Sequence, residues 1–367
     1  MKAITLTPHT TTVQIKDWPE PTIQNPDEIK VQVLSVGICG TDREEVSGGR
    51  ADAPTGEKEL IIGHEMLSKV VEVGTKVTTF KPGDLAVITV RRECPSCPAC
   101  AIARSDMCLT GNYTERGIKG RHGFQAQYVV DKVQYAIPVA PNIQKIAVLA
   151  EPMSVVQKAI DEATTIQRAR LPYLQNKAQW LEGKCTIVAG LGPIGILAAL
   201  ALRLRGANVV GIDIVDETSP RVKILRAIGG TYFNAKTEKP ETIGQKHPYI
   251  DVIFDGAGIA QLDFDLWNLL GINGVFVLTG VPGAQRLINV DGAALMRSLV
   301  LKNQVIVGSV NESLQHFKNG LDDLVAAAKK WPGVVDQIIT QRYNYKDFAK
   351  AFGKHTQDEI KVIIDWL

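Results

Sequence analysis

The sequence has 367 residues, of which 45% are hydrophobic and 22% are charged, and its formal net charge is +2. A chain of this length exceeds one ordinary hydrophobic core, so we expect two domains. The near-neutral charge gives no reason to expect a nucleic-acid or acidic-membrane partner. We expect a cytoplasmic protein, because the first ten residues lack the apolar core of a signal peptide and no run of about 18 apolar residues occurs.

The first third of the chain is rich in short β-type runs that are broken by turn residues. Examples are Lys30–Val36, Ser68–Val73 and Asp84–Val90, with a turn at Lys81–Asp84 before the last of them. Short strands at close intervals predict a barrel-like β domain.

Two short motifs in this region carry residue types that bind metals. The C-G-T-D segment at 39–42 supplies the thiol of Cys39, the G-H-E segment at 63–65 supplies His64, and Glu151 could add a carboxylate. A lone histidine is more often structural, but a thiolate and an imidazole from different loops, with a carboxylate, suit a catalytic zinc that keeps one position open. Such a zinc acts as a Lewis acid on a substrate hydroxyl. The hydroxyl of Thr41 could pass the released proton to water, or Thr41 could simply cap a turn.

Four of the six cysteines lie in one short lobe, with the spacing C-x2-C-x2-C-x7-C: Cys94, Cys97, Cys100 and Cys108. Four thiolates close a tetrahedron around zinc and leave no position for substrate, so this pattern predicts a structural zinc. Unliganded cysteines, disulfides and an iron–sulfur cluster are the alternatives. Cys185, at the start of a predicted strand, is expected to serve packing.

After Glu151 the pattern changes to strands alternating with helices, which predicts a parallel, doubly wound α/β sheet. The predicted helices are Val155–Arg170, Ile196–Arg205 and Arg221–Ile228, and the predicted strands are Thr186–Ala189, Asn208–Ile212, Val252–Asp255, Gly274–Leu278 and Val305–Val310. A less regular connection covers residues 171–182. Helices at Ser313–Lys330 and Tyr345–Lys354 and a last strand at Lys361–Trp366 complete the chain.

A G-x-G-x-x-G segment follows the first strand of this alternation and opens a helix. In that context the glycines allow a tight turn and a close approach of the backbone to a pyrophosphate, while the helix N-terminus offers N–H groups. The residues expected to contact the cofactor are Gly190, Gly192, Pro193, Ile194 and Gly195. Asp213 ends the next strand, where a carboxylate binds the ribose 2′-hydroxyl and repels a 2′-phosphate, so we expect NAD to be preferred over NADP. The alternative is an ordinary strand–helix turn with Asp213 as a surface acid.

These motifs, in this order, resemble those of the zinc-containing medium-chain alcohol dehydrogenase superfamily. Within it, the chain looks most similar to the archaeal and bacterial glucose dehydrogenase branch. The supporting segments are 37–44, the pair Arg91–Arg92 before the cysteine lobe, the long connection before Gly190, and the segment 308–311.

The resemblance implies a GroES-like β domain formed by residues 1–154 and 309–367, which carries the structural zinc lobe at about 91–110. It implies a Rossmann dinucleotide-binding domain at 155–308, with the site in the cleft between the two domains. It also implies assembly as a homodimer or homotetramer.

The resemblance further implies a catalytic zinc held by Cys39, His64 and Glu151, with Glu65 as an exchanging or more distant ligand. Glu115 and Asn311 would contact the sugar or the nicotinamide, and Thr279 and Asn311 would line the cofactor site. The implied reaction is oxidation of an aldose at C1 to its lactone.

The sequence is compatible with two other functions. Val90, Val155 and Leu301 occupy positions where sugar-oxidising relatives carry polar groups, which favours a polyol or secondary-alcohol substrate, because unpaired sugar hydroxyls are costly to bury. A non-catalytic dinucleotide-binding protein is the third possibility, since a fold does not fix a function.

Overall fold

The computed structural model describes residues 1–177, 179–283, 287–353, 356 and 358–367. The first elements in chain order are β1 (Lys2–Leu6), β2 (Val13–Asp17), β3 (Glu28–Ile38), α1 (Gly40–Val46), β4 (Leu60–Ile61), β5 (Glu65–Val73), β6 (Leu85–Ile88), β7 (Arg91–Arg92), α2 (Pro98–Ala101), β8 (Thr114–Arg116), β9 (Gly120–Arg121), β10 (Tyr128–Lys132), β11 (Ala136–Pro138) and α3 (Ala150–Arg170). Next come β12 (Cys185–Ala189), α4 (Pro193–Leu204), β13 (Asn208–Asp213), α5 (Pro220–Ala227), β14 (Thr231–Asn234), α6 (Glu241–Lys246), β15 (Ile250–Asp255), α7 (Ala260–Trp267), β16 (Leu270–Leu278), α8 (Gly292–Leu301) and β17 (Val305–Gly308). The last elements are α9 (Leu314–Lys330), β18 (Ile339–Asn344), α10 (Phe348–Ala351) and β19 (Lys361–Asp365).

The chain divides into two compact units. The first unit contains Met1–Ser154, Glu312–Val325 and Ile339–Leu367, and the second contains Val155–Asn311 and Ala326–Ile338. The predicted first domain took in the whole tail from 309 to 367, whereas residues 309–311 and Ala326–Ile338 lie in the second unit. Ala326–Ile338 belongs to the second unit because of its packing. The fully buried Val335 and Ile338 lie in a short 3-10 helix that contacts α5 of that unit.

The first unit is built on a mixed sheet with the strand order β11-β6-β5-β3-β19-β18, in which β10 also pairs with β3. Smaller sheets, β2-β1-β4 and β7-β8-β9, accompany it. Alternate residues of β3, such as Val31 and Val33, are fully buried in the core together with Met66 and Phe124. This period of two follows from the alternation of side chains along a strand, and it confirms the predicted β-rich architecture.

The second unit holds a parallel sheet with the order β14-β13-β12-β15-β16-β17, and the paired strands run parallel. Numbered within the unit, this order is 3-2-1-4-5-6, the arrangement of a dinucleotide-binding doubly wound sheet. Its buried core includes Ile187, Val210 and Ile253 from neighbouring strands. The prediction of a parallel doubly wound sheet is therefore confirmed.

Some predicted boundaries differ from the observed ones. The helix expected at Val155 begins at Ala150, and the strand expected to end at Val310 ends at Gly308. The helix predicted at Tyr345–Lys354 is a 3-10 turn followed by α10, and Lys354 itself lies outside the described residues. Among the helices that the structure describes, none has the length and apolar character needed to cross a bilayer.

Candidate zinc and dinucleotide sites

The register of β3 against β5 brings the two separate metal-binding motifs together. Gly37 of β3 lies opposite Glu65 of β5, so the residues just after β3 and just before β5 meet at one end of the sheet. Ligand atoms of Cys39, His64 and Glu65 consequently lie within 4.8 Å of one another. The structure thus brings together three of the four residues predicted to hold the catalytic zinc.

Asp42 connects two of these residues. It is the third residue of α1, its Oδ2 accepts a hydrogen bond from the Cys39 backbone N–H at 2.7 Å, and its side chain is fully buried. Its Oδ1 lies 3.5 Å from Nδ1 of His64. A carboxylate behind a histidine fixes the ring orientation and leaves the other ring nitrogen for a metal.

The charges of the cluster favour an anionic thiolate beside a cationic or metal-bound partner. Burial on its own would raise the pKa of Cys39, but the neighbouring His64 lowers it below its ordinary value. Burial on its own would lower the pKa of His64, but Asp42 and Cys39 raise it well above its ordinary value. A thiolate is the form of cysteine that binds metals, so these shifts suit a zinc ligand.

Glu151, the fourth predicted ligand, begins α3 and is partly buried. Burial raises the pKa of its carboxyl well above the ordinary value, and Glu312 raises it further, with smaller effects from Glu65 and Cys39. A crowded set of carboxyls that resists ionisation favours the arrival of a cation. Thr41, the proposed proton carrier, is the second residue of α1 and is partly buried.

The donor atoms present fit a zinc ion. A soft thiolate, an imidazole and a carboxylate whose ligand atoms lie within 4.8 Å of one another suit a catalytic zinc. Nδ1 of His64 and Oδ1 of Asp42 have no hydrogen-bond partner within the described part of the chain. These two atoms face each other at 3.5 Å as an ion pair, so Asp42 orients the imidazole and leaves Nε2 of His64 for a metal.

The cysteine lobe forms a second cluster, in which the four sulfur atoms lie within 4.8 Å of one another. Sγ of Cys97 lies 3.9 Å from Sγ of Cys108. Sulfurs at the corners of a zinc tetrahedron with bonds of about 2.3 Å are about 3.8 Å apart, whereas disulfide sulfurs are about 2.05 Å apart. The geometry therefore suits a tetrathiolate metal and does not suit a disulfide between these two residues.

Local hydrogen bonds prepare the lobe for that role. The sulfur of Cys97 accepts a hydrogen bond from the backbone N–H of Cys100, and the sulfur of Cys100 accepts one from the backbone N–H of Cys94, each at 3.4 Å. A hydrogen bond with Thr110 lowers the pKa of Cys94 to about 5, while burial raises the pKa of Cys100 to about 12. Donors aimed at sulfur stabilise the thiolate form that zinc binds.

In the second unit, the glycine segment joins β12 to α4. A Cβ atom on Gly195 would lie 1.7 Å from the carbonyl oxygen of Gly190, so only glycine permits this close approach. A Cβ on Gly192 would meet nothing within 4 Å, and Pro193 occupies the first turn of α4. The helix N-terminus therefore faces open space where a pyrophosphate could bind.

Asp213, the last residue of β13, is tied to the glycine segment. Its Oδ2 accepts the N–H of Leu191 at 2.8 Å, and its Oδ1 accepts the N–H of Ile214 at 2.7 Å. Nη1 of Arg221, near the start of α5, lies 3.3 Å from the same Oδ2. The carboxylate predicted to bind the ribose is thus ordered, and a nearby guanidinium partly offsets its charge.

The remaining predicted residues lie in different surroundings. Thr279 follows β16 and donates its hydroxyl to the carbonyl of Asp255 at 2.5 Å. Asn311 belongs to the second unit and has a left-handed backbone with a φ of 61°. Glu115 belongs to the first unit and is buried. Its carboxylate accepts hydrogen bonds from Nε and Nη2 of Arg91 at 3.1 and 2.9 Å. The roles of these three residues at substrate or cofactor stay predictions.

Several residues that lie at these sites have no role predicted from the sequence. Asp42 could have been found from the sequence, because an acid three residues after a helix N-cap is the pattern of a capping box. Glu45, fully buried on the same helix, has a pKa raised to about 9 by burial and by Asp42. Lys361 contacts Glu65, and Arg221 contacts Asp213. No sequence pattern indicates Lys361 or Arg221, since only the fold brings them to Glu65 and Asp213.

Comparison with known proteins agrees with this geometry. The family model described as "Alcohol dehydrogenase GroES-like domain" matches residues 25–141, and "Glucose dehydrogenase C-terminus" matches residues 144–366. The chain is 37% identical to a glucose 1-dehydrogenase of Methanocella arvoryzae over 92% of both chains. It is 35% identical to glucose 1-dehydrogenase 2 of Vulcanisaeta moutnovskia, over 100% of this chain and 99% of the relative.

Among solved structures, the fold matches that of Haloferax mediterranei glucose dehydrogenase in complex with NADP, Zn and gluconolactone. The TM-score is 0.87 and the identity 27%, and the match covers 100% of this chain and 99% of the other. The chain belongs to the glucose dehydrogenase branch of the zinc-containing medium-chain alcohol dehydrogenase superfamily. The resemblance stated from the motifs is therefore confirmed, as is the combination of a GroES-like domain with a Rossmann domain.

Proposed function

We propose that this member of the glucose dehydrogenase family oxidises an aldose at C1 to its lactone. The C1–H bond breaks as a hydride leaves for the nicotinamide ring of NAD(P), and the C1 hydroxyl proton leaves for water. The observation that carries the proposal is the buried cluster of Cys39, His64 and Glu65, with Asp42 behind two of its members. The names of the similar proteins, which are glucose dehydrogenases, support the same substrate class.

In this proposal Cys39, His64 and Glu151 hold a catalytic zinc, with Glu65 as an exchanging or more distant ligand, and the zinc when bound supplies Lewis acidity to the substrate oxygen. The buried Asp42 holds the ring of His64 in one orientation and fixes the backbone of Cys39. Thr41 carries the hydroxyl proton outward from the site. Glu115 and Asn311 contact the sugar or the nicotinamide.

We further propose that the dinucleotide binds Gly190, Gly192, Pro193, Ile194, Gly195, Asp213, Thr279 and Asn311, and that NAD is preferred over NADP. The preference is supported by the carboxylate of Asp213 at the end of β13. Asp216 and Glu217 add negative charge in the loop that follows. A 2′-phosphate would be repelled there, although Arg221 reduces the effect.

The four-cysteine lobe is proposed to hold a structural zinc, which requires reduced thiols and therefore suits the cytoplasm. We also propose a homodimer or homotetramer. Large apolar side chains of α8, namely Met296, Val300 and Leu301, are 59%, 72% and 67% exposed, and burial of such side chains favours self-association. Analytical ultracentrifugation measures the assembly directly.

A screen of the purified protein tests the proposed reaction. NADH formation is followed at 340 nm with aldoses, polyols and simple alcohols, before and after treatment with a zinc chelator. We expect activity with aldoses that the chelator abolishes and added zinc restores. Activity of Cys39→Ser equal to that of the wild type would rule out the zinc mechanism.

A polyol or secondary-alcohol dehydrogenase is the second candidate, because Val90, Val155 and Leu301 occupy positions where sugar-oxidising relatives carry polar groups. An apolar group beside a sugar would leave a hydroxyl without a partner. The same screen distinguishes the two candidates, because activity confined to polyols or secondary alcohols would replace the aldose while keeping the zinc mechanism.

A further inference from the structure

A lysine and a glutamate of the first unit form an ion pair that is almost completely buried. Nζ of Lys361 lies 2.7 Å from both carboxylate oxygens of Glu65 and 3.2 Å from the carbonyl oxygen of Ile38. The two side chains are 2% and 1% exposed. Lysine is among the residues that are least often fully buried, and here it opens β19, where three apolar residues follow it.

The same carboxylate belongs to the catalytic metal cluster. An oxygen of Glu65 lies within 4.8 Å of the ligand atoms of Cys39 and His64. A Cβ atom on the opposite Gly37 would lie only 2.0 Å from Oε2 of Glu65, so the glycine leaves just enough room for this side chain. The Glu65 carboxylate is therefore confined by Gly37, bound by the ammonium group of Lys361 and close to the metal-binding atoms of Cys39 and His64.

An ion pair is not needed to attach β19 to the sheet. Val362, Ile363, Ile364 and Asp365 already pair with β3 in an antiparallel ladder. A buried ion pair also gains little stability over two apolar side chains of the same volume, because desolvation offsets the attraction. The consequence peculiar to Lys361 is its effect on the Glu65 carboxylate.

We infer that Lys361 is a positioning residue that competes with the catalytic zinc for the Glu65 carboxylate. This inference rests on the proposed zinc dehydrogenase function. A carboxylate has about four lone-pair positions, and an ammonium group that bridges both oxygens occupies positions that a metal would otherwise use. Lys361 thereby keeps Glu65 a weak, exchangeable ligand and holds one metal position open for the substrate hydroxyl. Without this lysine, the carboxylate would bind the metal permanently.

The test uses the full-length protein with Co²⁺ in place of Zn²⁺, because the visible spectrum of Co²⁺ reports its ligands and geometry. The difference between the spectra of the wild type and Cys39→Ser isolates the Cys39 site from the four-cysteine lobe. The variants are Lys361→Met, which removes the charge, and Lys361→Arg, which keeps it. Glu65→Gln and the double variant Glu65→Gln/Lys361→Met complete a double-mutant cycle. The control is Glu72→Gln, an exposed change on β5.

We expect Lys361→Met to shift the visible bands of the Cys39 site and to slow metal release to a chelator by about tenfold or more, which corresponds to about 1.4 kcal/mol of added metal binding. We also expect kcat to fall. Lys361→Arg should keep the wild-type spectrum. In the Glu65→Gln background, Lys361→Met should cause no further shift, because no carboxylate remains to bind the metal.

Unchanged bands and release rates in a folded Lys361→Met protein would overturn the inference. An equal shift in the Glu65→Gln background would also overturn it, because the lysine would then act on the fold rather than on Glu65. If Lys361→Met does not fold, Lys361→Gln, which keeps an N–H donor without the charge, is judged by the same criteria. If no Co²⁺ signal depends on Cys39, the proposed function fails, and not merely the role of Lys361.

Discussion

At the scale of single residues, Asp42 orients two proposed zinc ligands, because its carboxylate binds the backbone N–H of Cys39 and faces Nδ1 of His64. Asp42 itself is not predicted to be a ligand. Asp42→Asn keeps the size of the side chain and removes the charge that faces His64 at 3.5 Å. We expect zinc affinity to fall about 10- to 100-fold, as for other carboxylates behind metal-binding histidines. Competition with a chromogenic chelator measures this. Asp322→Asn, an exposed change on α9, should bind zinc as the wild type does, and equal affinity of both variants would contradict the role.

Two residues with opposite charges are expected to set the cofactor preference in opposite directions. Asp213→Asn removes the carboxylate that repels a 2′-phosphate, and we expect the ratio of kcat/KM for NADP to that for NAD to rise by about tenfold or more, since juxtaposed like charges cost several kcal/mol. Arg221→Met removes the cation 3.3 Å from that carboxylate, so the ratio should fall. The control is Lys223→Met, which removes an exposed positive charge from the same helix. Equal changes for both cofactors would refute this assignment.

At the scale of elements, Asp131 of β10 ties the small sheet β7-β8-β9 to the main sheet. Its fully buried carboxylate contacts one arginine from each strand of the small sheet, Arg92, Arg116 and Arg121, at 2.5, 2.6 and 3.5 Å. Burial would raise the pKa of Asp131, but these three guanidinium groups hold it well below its ordinary value. The negative charge is thus required for the network.

Asp131→Asn should therefore destabilise the protein by about 3–5 kcal/mol at pH 7, the usual cost of leaving buried partners uncompensated. Because the folded pKa lies below the unfolded value near 3.8, this contribution is complete above about pH 4 and is lost as the pH falls towards the folded pKa. Urea unfolding at several pH values measures the difference, which should shrink in acid. Asp17→Asn, in an exposed pair with Lys2, should change the unfolding free energy far less than Asp131→Asn at every pH.

The same scale shows why some elements were predictable from the sequence and others were not. Strands with a clear apolar pattern, such as β12 and β15, were placed to within two residues. The sequence pattern predicts the start of α3 five residues late, because the helix begins at Ala150 with Pro152 in its first turn, where proline is tolerated since the N–H groups are unpaired anyway. Strands of two or three residues, such as β7 and β9, are too short to show a period, and α7 and α8 were not predicted.

The candidate sites show the corresponding limit. The ligand types at Cys39 and His64 and the glycine segment could be predicted, because short-range spacing encodes them. The partner of Glu65 could not, because Lys361 is 296 residues away in the chain and only the pairing of β19 with β3 brings it near. Sequence patterns thus reveal atoms that bind ligands directly, and the residues that orient them emerge only with the fold.

At the scale of the whole molecule, the proposed zinc ligands and the glycine segment belong to different units, and each unit has its own buried core. We expect zinc removal to destabilise the first unit, because a structural zinc contributes directly to folding free energy. AMP carries the ribose and phosphate that Asp213 and the glycine segment would recognise, so its binding should survive chelation. At about 100 times its Kd, AMP should still stabilise the second unit by about 2.7 kcal/mol. Calorimetric unfolding with and without AMP, before and after chelation, measures both effects, with Asp213→Ala as the variant that should lose the protection. Loss of AMP protection on chelation of the wild type would show that the dinucleotide site depends on the metals, contrary to this expectation.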